Sequence, residues 1–391
     1  MTKEVRIAIV AGETSGDLLA SHLIVALRAC LPQARFFGVG GPKMDGKGFD
    51  SWYPLEKLAV RAYVAVLRHY REIAAIRRDL KKRLLADPPD VFIGVDAPDF
   101  NLDLEKSLKR QGIPCIHYVS PSIWAWRGQR ILKIGAAVSR VLALFPFEPP
   151  LYEKQGIPVS YVGHPLADML PLEDGRVQAR EILELPAQAP VFAVLPGSRQ
   201  SELDYMAEPF IATMREIHQQ EPGAIFLVPL ATRETRIQFE AALFRCQARE
   251  LPIRLLFGHA HEAMMAADVV LVTSGTATLE AALLKRPMVI AYKLSSLSHR
   301  LMKRMGYLPW VGLPNILAGR FVVPEFIQDD ATAENLAQAM LNLYADKTSC
   351  ARIGEVFHEM HLQLRQNTAE KAAAAIIGHL PDSARHAVVA A

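Results

Sequence analysis

The chain has few cysteines and no cysteine pattern. Cys30, Cys115, Cys246 and Cys350 stand far apart, with neither the close pairing of a zinc ligand set nor the density of a disulfide framework, so a reducing compartment is expected. Long hydrophobic runs are missing: no stretch approaches the roughly 20 uninterrupted apolar residues that cross a bilayer. The amino terminus, MTKEV, leads straight into a short apolar strand without the hydrophobic segment and small-residue cleavage site of a secretory signal, which predicts a chain that is not exported. A dominant charge sign is lacking as well, since 44 Lys and Arg against 41 Asp and Glu leave a net charge of +3. Sequence-independent binding to nucleic acid is therefore not expected, although local basic patches remain. There is no repeat of fixed period, and no low-complexity tract beyond the Ala-rich end.

What is present is a chain of 391 residues, enough for two or three domains at about 150 residues each, with 51% apolar content to fill their cores. Short β-branched runs alternate with longer segments of helical apolar spacing, the mark of βα units around a parallel sheet. In the first half, strands are predicted at Val5–Val10, Phe36–Val39, Val91–Val95, Cys115–Val119, Val138–Leu144 and Val159–Val162. In the second half they are predicted at Val191–Leu195, Ile225–Val228, Ile253–Leu256, Val269–Val272 and Met288–Ala291. The Pro-rich stretch Leu166–Pro190 marks where one sheet ends and the next begins. After Phe326 only helix is predicted, from Ala331 to about Leu380, and this strandless tail must pack on a preceding domain. The expected fold class is α/β, with two doubly wound units facing a central cleft. Ligands of such sheets sit beyond the carboxyl ends of the strands, so each loop there is a candidate wall.

The first such loop, Gly12-Glu13-Thr14-Ser15-Gly16-Asp17, offers backbone N–H groups and hydroxyls to an anionic or sugar oxygen. A tight turn with Ser15 or Asp17 capping the following helix explains it equally well. Glu13, a carboxylate beside a helix start, is suited to orienting hydroxyls. The loop Asp96-Ala97-Pro98-Asp99-Phe100-Asn101 brings two carboxylates to a strand end, the natural seat of a general base. Asp96, nearer the strand, is the stronger candidate, and Asp99 reads as a turn or cap residue. No Asp-x-Asp triplet occurs to clamp a divalent ion, and no metal ligands are assigned. Ser120-Pro121-Ser122-Ile123-Trp124-Ala125-Trp126-Arg127 follows the next strand; its indoles could stack on sugar rings or cover acyl chains, or lie in the core.

In the second half, Leu195-Pro196-Gly197-Ser198-Arg199 supplies the glycine, hydroxyl and guanidinium of a diphosphate site. An arginine and a helix amino terminus can stabilise the charge that builds on a departing nucleoside diphosphate without metal. Thr273-Ser274-Gly275-Thr276-Ala277-Thr278-Leu279-Glu280 joins a strand to a helix: the Thr276 and Ala277 amides could hold phosphate while Glu280 accepts ribose hydroxyls. An ordinary helix cap with an exposed glutamate remains the alternative for that loop alone.

Taken together, GETSGD (12–17), DAPDFN (96–101), SPSIWAW (120–126), GHPLAD (163–168), LPGSR (195–199), SGTATLE (274–280) and LPN (313–315) resemble the lipid-A-disaccharide synthase family, in order and across nearly the whole chain to about residue 330. Ile123 and Pro165 depart mildly from the family pattern, at positions without a chemical role. The resemblance implies a glycosyltransferase of the twin-Rossmann, GT-B type that joins UDP-2,3-diacylglucosamine to 2,3-diacylglucosamine 1-phosphate (lipid X), releasing UDP and forming a β-1,6 disaccharide. It implies one inverting displacement, no metal and no cofactor. It gives Asp96 the role of base, Glu13 that of an orienting carboxylate, Arg199 with Ser198 the donor diphosphate and Glu280 the ribose. Ser274, Gly275, Thr276, Ala277 and Asn315 would line the nucleotide pocket, and Ser15, Asn101, Ser122, Trp124 and Trp126 would meet the acceptor or sugar. Residues 1–168 would form the acceptor domain and 169–345 the UDP-sugar domain, with helices from about 346 to 380 returning to the first.

Such lipid substrates imply work at a bilayer surface, on the cytoplasmic face of the inner membrane. Between Arg61 and Arg83 eight basic residues stand against Glu72 and Asp79, with Tyr63, Val64, Val66, Leu67, Tyr70, Ile73 and Ile76 interleaved. That segment is expected to meet anionic lipid, with Arg77, Arg78, Lys81 and Lys82 toward phosphates; a solvated basic face over a sheet is the alternative. Lys293, Arg300, Lys303 and Arg304 form a second basic cluster. No motif sets an oligomeric state. Three rivals make different demands: an N-acetylglucosaminyl transferase of the same fold would differ in the first-half loops, a UDP-sugar 2-epimerase would need no acceptor, and a two-lobed solute-binding protein would be exported.

Overall fold

The computed structural model describes residues 4–58, 66–125, 128–294 and 309–382, with the backbone alone for 66–70. The chain divides into two compact units: residues up to Asp168 together with those from Leu364 onward form one, and Met169–Gln363 form the other.

The first unit is a seven-stranded parallel sheet made of β1 (Arg6–Ala11), β2 (Arg35–Gly40), β3 (Asp50–Pro54), β4 (Val91–Val95), β5 (Cys115–Tyr118), β6 (Arg140–Ala143) and β7 (Val159–Tyr161), in the order β3-β2-β1-β4-β5-β6-β7. The reversal of order beside β1 leaves a crevice at the carboxyl ends of β1 and β4, where the Gly12 and Asp96 loops emerge. Apart from Arg6, the central strands β1 and β4 are apolar because helices cover both faces. Ile7, Ile9, Ile93 and Val95 enter one core, and Ala8, Val10 and Phe92 enter the other.

The second unit repeats the plan with β8 (Val191–Leu195), β9 (Ile225–Leu230), β10 (Ile253–Phe257), β11 (Val269–Thr273), β12 (Met288–Tyr292) and β13 (Glu325–Ile327), ordered β10-β9-β8-β11-β12-β13. Here the switch lies between β8 and β11, so the Arg199 and Ser274 loops share one end of the sheet. Two strands were not expected from the sequence. β3 is a half-buried edge strand carrying Asp, Ser and Pro, and β13 has only three residues; edge strands tolerate both brevity and proline, which removes the apolar signal.

The tail is three helices, Ala333–Ala345, Lys347–Leu364 and Thr368–Ile377. The sequence predicts a return to the first unit at about residue 346, whereas Lys347–Leu364 stays mostly with the second, where buried His361 meets the Leu283 carbonyl at 3.0 Å. Thr368–Ile377 does pack on the first helix, Thr14–Cys30, placing Ala372, Ala373, Ile376 and Leu380 in one core with Ala20, Leu23 and Ile24. Burying Ile376 and Leu380 contributes about 1.5–3 kcal/mol each.

The GHPLAD segment makes this docking. Gly163 has φ +86°, and a Cβ there would stand 2.6 Å from the Leu364 carbonyl oxygen. The His164 amide donates to that carbonyl at 2.9 Å, and the Asp168 carboxylate accepts from the amides of Asn367 (3.0 Å) and Thr368 (2.7 Å) at the start of the last helix.

Candidate active site

Asp96 follows β4 directly, in a backbone shape that costs energy. Asp96 and Ala97 are consecutive non-glycine residues in the left-handed region, at φ +51° and +44°. Both backbone groups of Asp96 are held: its N–H donates to the Tyr118 carbonyl at 2.8 Å, and its carbonyl accepts from Asn101 Nδ2 at 2.8 Å. The side chain is half-buried at the mouth of the crevice. Val119, at the end of β5, is a third strained residue, with φ +82° in a β-branched side chain. Asp99, expected as a turn or cap residue, is exposed in the first turn of the helix Pro98–Lys109, whose N-cap is Ala97, and is ion-paired with Arg130. Asn101, expected at the acceptor, is fully buried and ties Asp96 to the Val10 carbonyl (3.3 Å), so it shapes the loop and does not face a ligand.

The Gly12–Asp17 loop lies against this turn. A Cβ on Gly12 would stand 2.4 Å from that of Ala97, so glycine is what allows the loops to touch. Glu13 and Ser15 are exposed. The helix Thr14–Cys30 is capped by neither Ser15 nor Asp17: Glu13 is its N-cap residue, and no side-chain cap bond forms. Asp17 turns inward, nearly fully buried, and accepts from the amides of Gly41 (3.1 Å), Lys43 (3.1 Å) and Met44 (3.0 Å), fixing the loop after β2. Three such bonds to a charged acceptor offset its burial.

Beyond β5, Ser122 is exposed and Trp124 half-buried, while Trp126 lies outside the described residues. Trp124 sits edge-on to Phe147 (5.2 Å) and Phe145 (6.4 Å), and Phe145 stacks on His164 at 5.6 Å. The Trp124 indole N–H donates to buried Glu148 at 3.2 Å, and the Phe145 amide donates to the other carboxylate oxygen at 3.0 Å. Burial pushes the Glu148 carboxyl up to about 7 and holds the His164 imidazole down at about 4. Glu148 gives no periodic or motif signal, because what makes it special is the desolvation supplied by distant rings.

In the second unit, Arg199 is the N-cap residue of the helix Gln200–Gln220, and its side chain is 73% exposed at the carboxyl end of β8. The carboxylate of Glu202, three residues on, accepts from the amides of Ser198 (2.8 Å) and Arg199 (3.2 Å) and lies 3.9 Å from the guanidinium. Gly197 (φ +127°) makes room, since a Cβ there would meet Glu202 Oε2 at 2.6 Å. The loop thus presents a guanidinium and the Ser198 hydroxyl, with the amides occupied internally. Glu202 was absent from the sequence reading, though a glutamate at the third position of a helix is a capping signal.

After β11, the exposed or half-buried residues Ser274, Gly275, Thr276 and Ala277 enter the helix Thr276–Leu283. Ser274 Oγ donates to the Val311 carbonyl at 3.1 Å. Glu280 is only 21% exposed and pairs at 3.0 Å with His261, in the first turn of the helix Ala260–Ala266 that follows β10; that hydrogen bond raises the His261 imidazole above the ordinary histidine range. No motif in the sequence marks His261, because its pairing with Glu280 joins elements that are separate in the chain.

Asn315 corrects an expectation. It is fully buried; Nδ2 donates to the Val323 carbonyl and to Glu325, each at 2.8 Å, and Oδ1 accepts from the amides of Val322 (2.7 Å) and Val323 (3.0 Å). Both donors are spent, so Asn315 shapes the wall behind the loops and does not meet a nucleotide.

The basic segment is in part the helix Val66–Ala86; residues 59–65 and the second cluster at 300–304 lie outside the described residues. Ile76, Leu80 and Leu84 are buried in the sheet-facing core with Ile73 against it, so the interleaved isoleucines do not form a lipid-facing side. Arg77 is bound to Asp103 at 3.0 Å, which removes it from the free basic face, whereas Arg78, Lys81 and Lys82 are exposed. No helix among the described residues is long and apolar enough to cross a membrane.

A family model described as lipid-A-disaccharide synthetase matches residues 7–379. The lipid-A-disaccharide synthase of Dechloromonas aromatica (strain RCB) is 65% identical over 378 residues, covering 96% of this chain and 99% of its own. That of Azoarcus sp. (strain BH72) is 60% identical, covering 97% of both chains. At identities that speak for fold alone, the solved glycosyltransferase of kitacinnamycin shares it with a TM-score of 0.64 at 16% identity, covering 97% of this chain and 100% of that one. The UDP-GlcNAc 2-epimerase of Methanocaldococcus jannaschii, solved with UDP-GlcNAc and UDP, shares it at 0.58 and 14%, covering 96% and 100%. The fold therefore serves transfer and epimerisation alike, and sequence decides between them. On that ground, the chain belongs to the lipid-A-disaccharide synthase family and is a glycosyltransferase of lipid A biosynthesis.

Proposed function

We propose that the chain joins UDP-2,3-diacylglucosamine to 2,3-diacylglucosamine 1-phosphate in one inverting displacement. The acceptor 6-hydroxyl attacks the anomeric carbon, the bond to the UDP oxygen breaks, and Asp96 takes the hydroxyl proton. The observation that carries this reading is the strained Asp96–Ala97 turn, which lifts a carboxylate to the end of β4 with the Gly12–Glu13 loop packed on it. Glu13, on that adjoining loop, orients hydroxyls and is the next choice of base. In the second unit Arg199 and Ser198 meet the donor diphosphate, the Ser274–Ala277 turn supplies further N–H groups, and Glu280 accepts the ribose hydroxyls. Ser15, Ser122 and Trp124 face the acceptor sugar. Neither a metal nor a cofactor is part of this reading.

The family's curated names and the glycosyltransferase fold support the transfer. The lipid nature of both substrates supports peripheral attachment at the cytoplasmic face of the inner membrane, through Arg78, Lys81 and Lys82. The decisive test is a mass spectrum of the products formed from the two purified lipids. A disaccharide 1-phosphate with UDP, formed only when both are present, is expected; isomerised sugar nucleotide from the donor alone would instead mark an epimerase.

A further inference from the structure

Beneath the Asp96 turn lies a set of fully buried polar side chains. In the parallel register Gly94 of β4 faces His117 of β5. Glu105, from the helix Pro98–Lys109, reaches across that glycine and meets His117 Nδ1 at 2.8 Å. A Cβ at Gly94 would stand 2.2 Å from Glu105 Oε1, so only glycine leaves the carboxylate room. Asn101, one turn earlier on the same helix, donates to the Asp96 carbonyl. Asn101, Glu105 and His117 are all fully buried. Asn101 Oδ1, Glu105 Oε2 and His117 Nε2 have no hydrogen-bond partner among the described residues.

Such a set is a poor way to gain stability, because well-packed apolar side chains at those positions would avoid the desolvation. Its connectivity points elsewhere. The Asp96 N–H is anchored on Tyr118 of β5, and the Asp96 carbonyl is anchored on the helix through Asn101. The Glu105–His117 bond joins those same two anchoring elements, at the residue next to Tyr118 and one helical turn after Asn101. Strained φ values persist only where the surroundings over-determine them, and this closed ring of bonds does so.

We propose that Glu105 and His117 are positioning residues for Asp96, clamping the spacing between the strand and the helix that hold its left-handed turn. This rests on the reading of Asp96 as the base. Burial pushes the Glu105 carboxyl up; burial alone would lower the His117 imidazole, but the Glu105 carboxylate, aided by Asp96, outweighs it and raises the imidazole.

The test uses the full chain and both lipid substrates. His117→Leu is expected to lower kcat about tenfold or more, on the scale of a displaced catalytic group, with UDP affinity and the donor KM unchanged. His117→Asn, which keeps a donor near the Nδ1 position, is expected to restore most of that loss. In an Asp96→Asn background His117→Leu is expected to add nothing, since the group it positions is gone. Should His117→Leu fail to fold, the double replacement Glu105→Leu with His117→Leu leaves no orphaned charge and takes its place, with the same kcat loss expected. Full kcat in the folded Leu variant, or a loss fully additive with Asp96→Asn, would overturn the clamp while leaving Asp96 as the base. Full turnover of Asp96→Asn itself would instead remove the catalytic reading on which the clamp rests.

Discussion

Gly12 and Ala97 are packed so closely that a methyl group on the glycine would fall 2.4 Å from the alanine Cβ, binding the Glu13 loop to the turn that carries Asp96. Contacts of that length do not occur, so one loop must move if Gly12 gains a side chain. Gly12→Ala is therefore expected to lower kcat by about tenfold to a hundredfold through displacement of Asp96. The accompanying loss of stability should be about 1–3 kcal/mol, the scale of overpacking. Denaturant unfolding alongside turnover measures both, and unchanged turnover in the folded variant would show that the loops act independently.

Asp96→Asn keeps the shape of the side chain and removes its basicity. Turnover is expected to fall by on the order of a hundredfold or more, with UDP affinity nearly intact. Arg199→Ala should show the opposite division, weakening UDP and raising the donor KM, because that guanidinium stands on the other sheet. Steady-state kinetics with calorimetry of UDP binding separates the two; retention of full turnover by Asp96→Asn would move the search to Glu13.

His261 is expected to titrate above the ordinary histidine range because Glu280 accepts its hydrogen bond, and Glu280→Gln should bring it down. A histidine raised in the folded state lends stability that is fully present below the unfolded value of about 6.5 and is lost as pH rises through the folded value. The melting-temperature gap between the native chain and Glu280→Gln should therefore be widest below about pH 6.5 and close as pH rises through the raised folded value. Imidazole NMR titration gives the site directly, and an unshifted resonance in the variant would break the assignment. With the His261 side chain 40% exposed the pair is partly screened, and added salt should narrow the gap.

Reversal of Arg78, Lys81 and Lys82 to glutamate should weaken binding to vesicles rich in anionic lipid without altering the fold, since all three side chains are exposed. Arg77→Glu alone should instead lower stability, as it sets a second carboxylate against Asp103. Co-sedimentation and thermal melts distinguish these effects. Undiminished sedimentation of the folded triple variant would place any lipid contact elsewhere.

Much of this architecture is legible in the sequence. Buried parallel strands are apolar on both faces, so eleven of the thirteen described strands announce themselves, from β1 to β12 with the exception of β3. The two that do not, β3 and β13, are edge strands, where half the surface is exposed and the composition turns polar. Loops that present chemistry were equally readable, because a strand followed by Gly, Ser, Asp or Arg and then a helix places those side chains at the sheet's carboxyl end.

The sequence by itself determined the family, the two βα units and the loops at their carboxyl ends, since period, punctuation and motif order are local properties. Tertiary structure alone decided which polar residues face outward. Asn101 shares its motif with exposed Asp99 yet is buried and engaged, Asn315 is likewise buried and engaged, Arg77 is bound to Asp103, and Glu105 meets His117 across Gly94. Burial and pairing depend on elements distant in the chain, and a side chain's desolvation is set by what the fold brings over it.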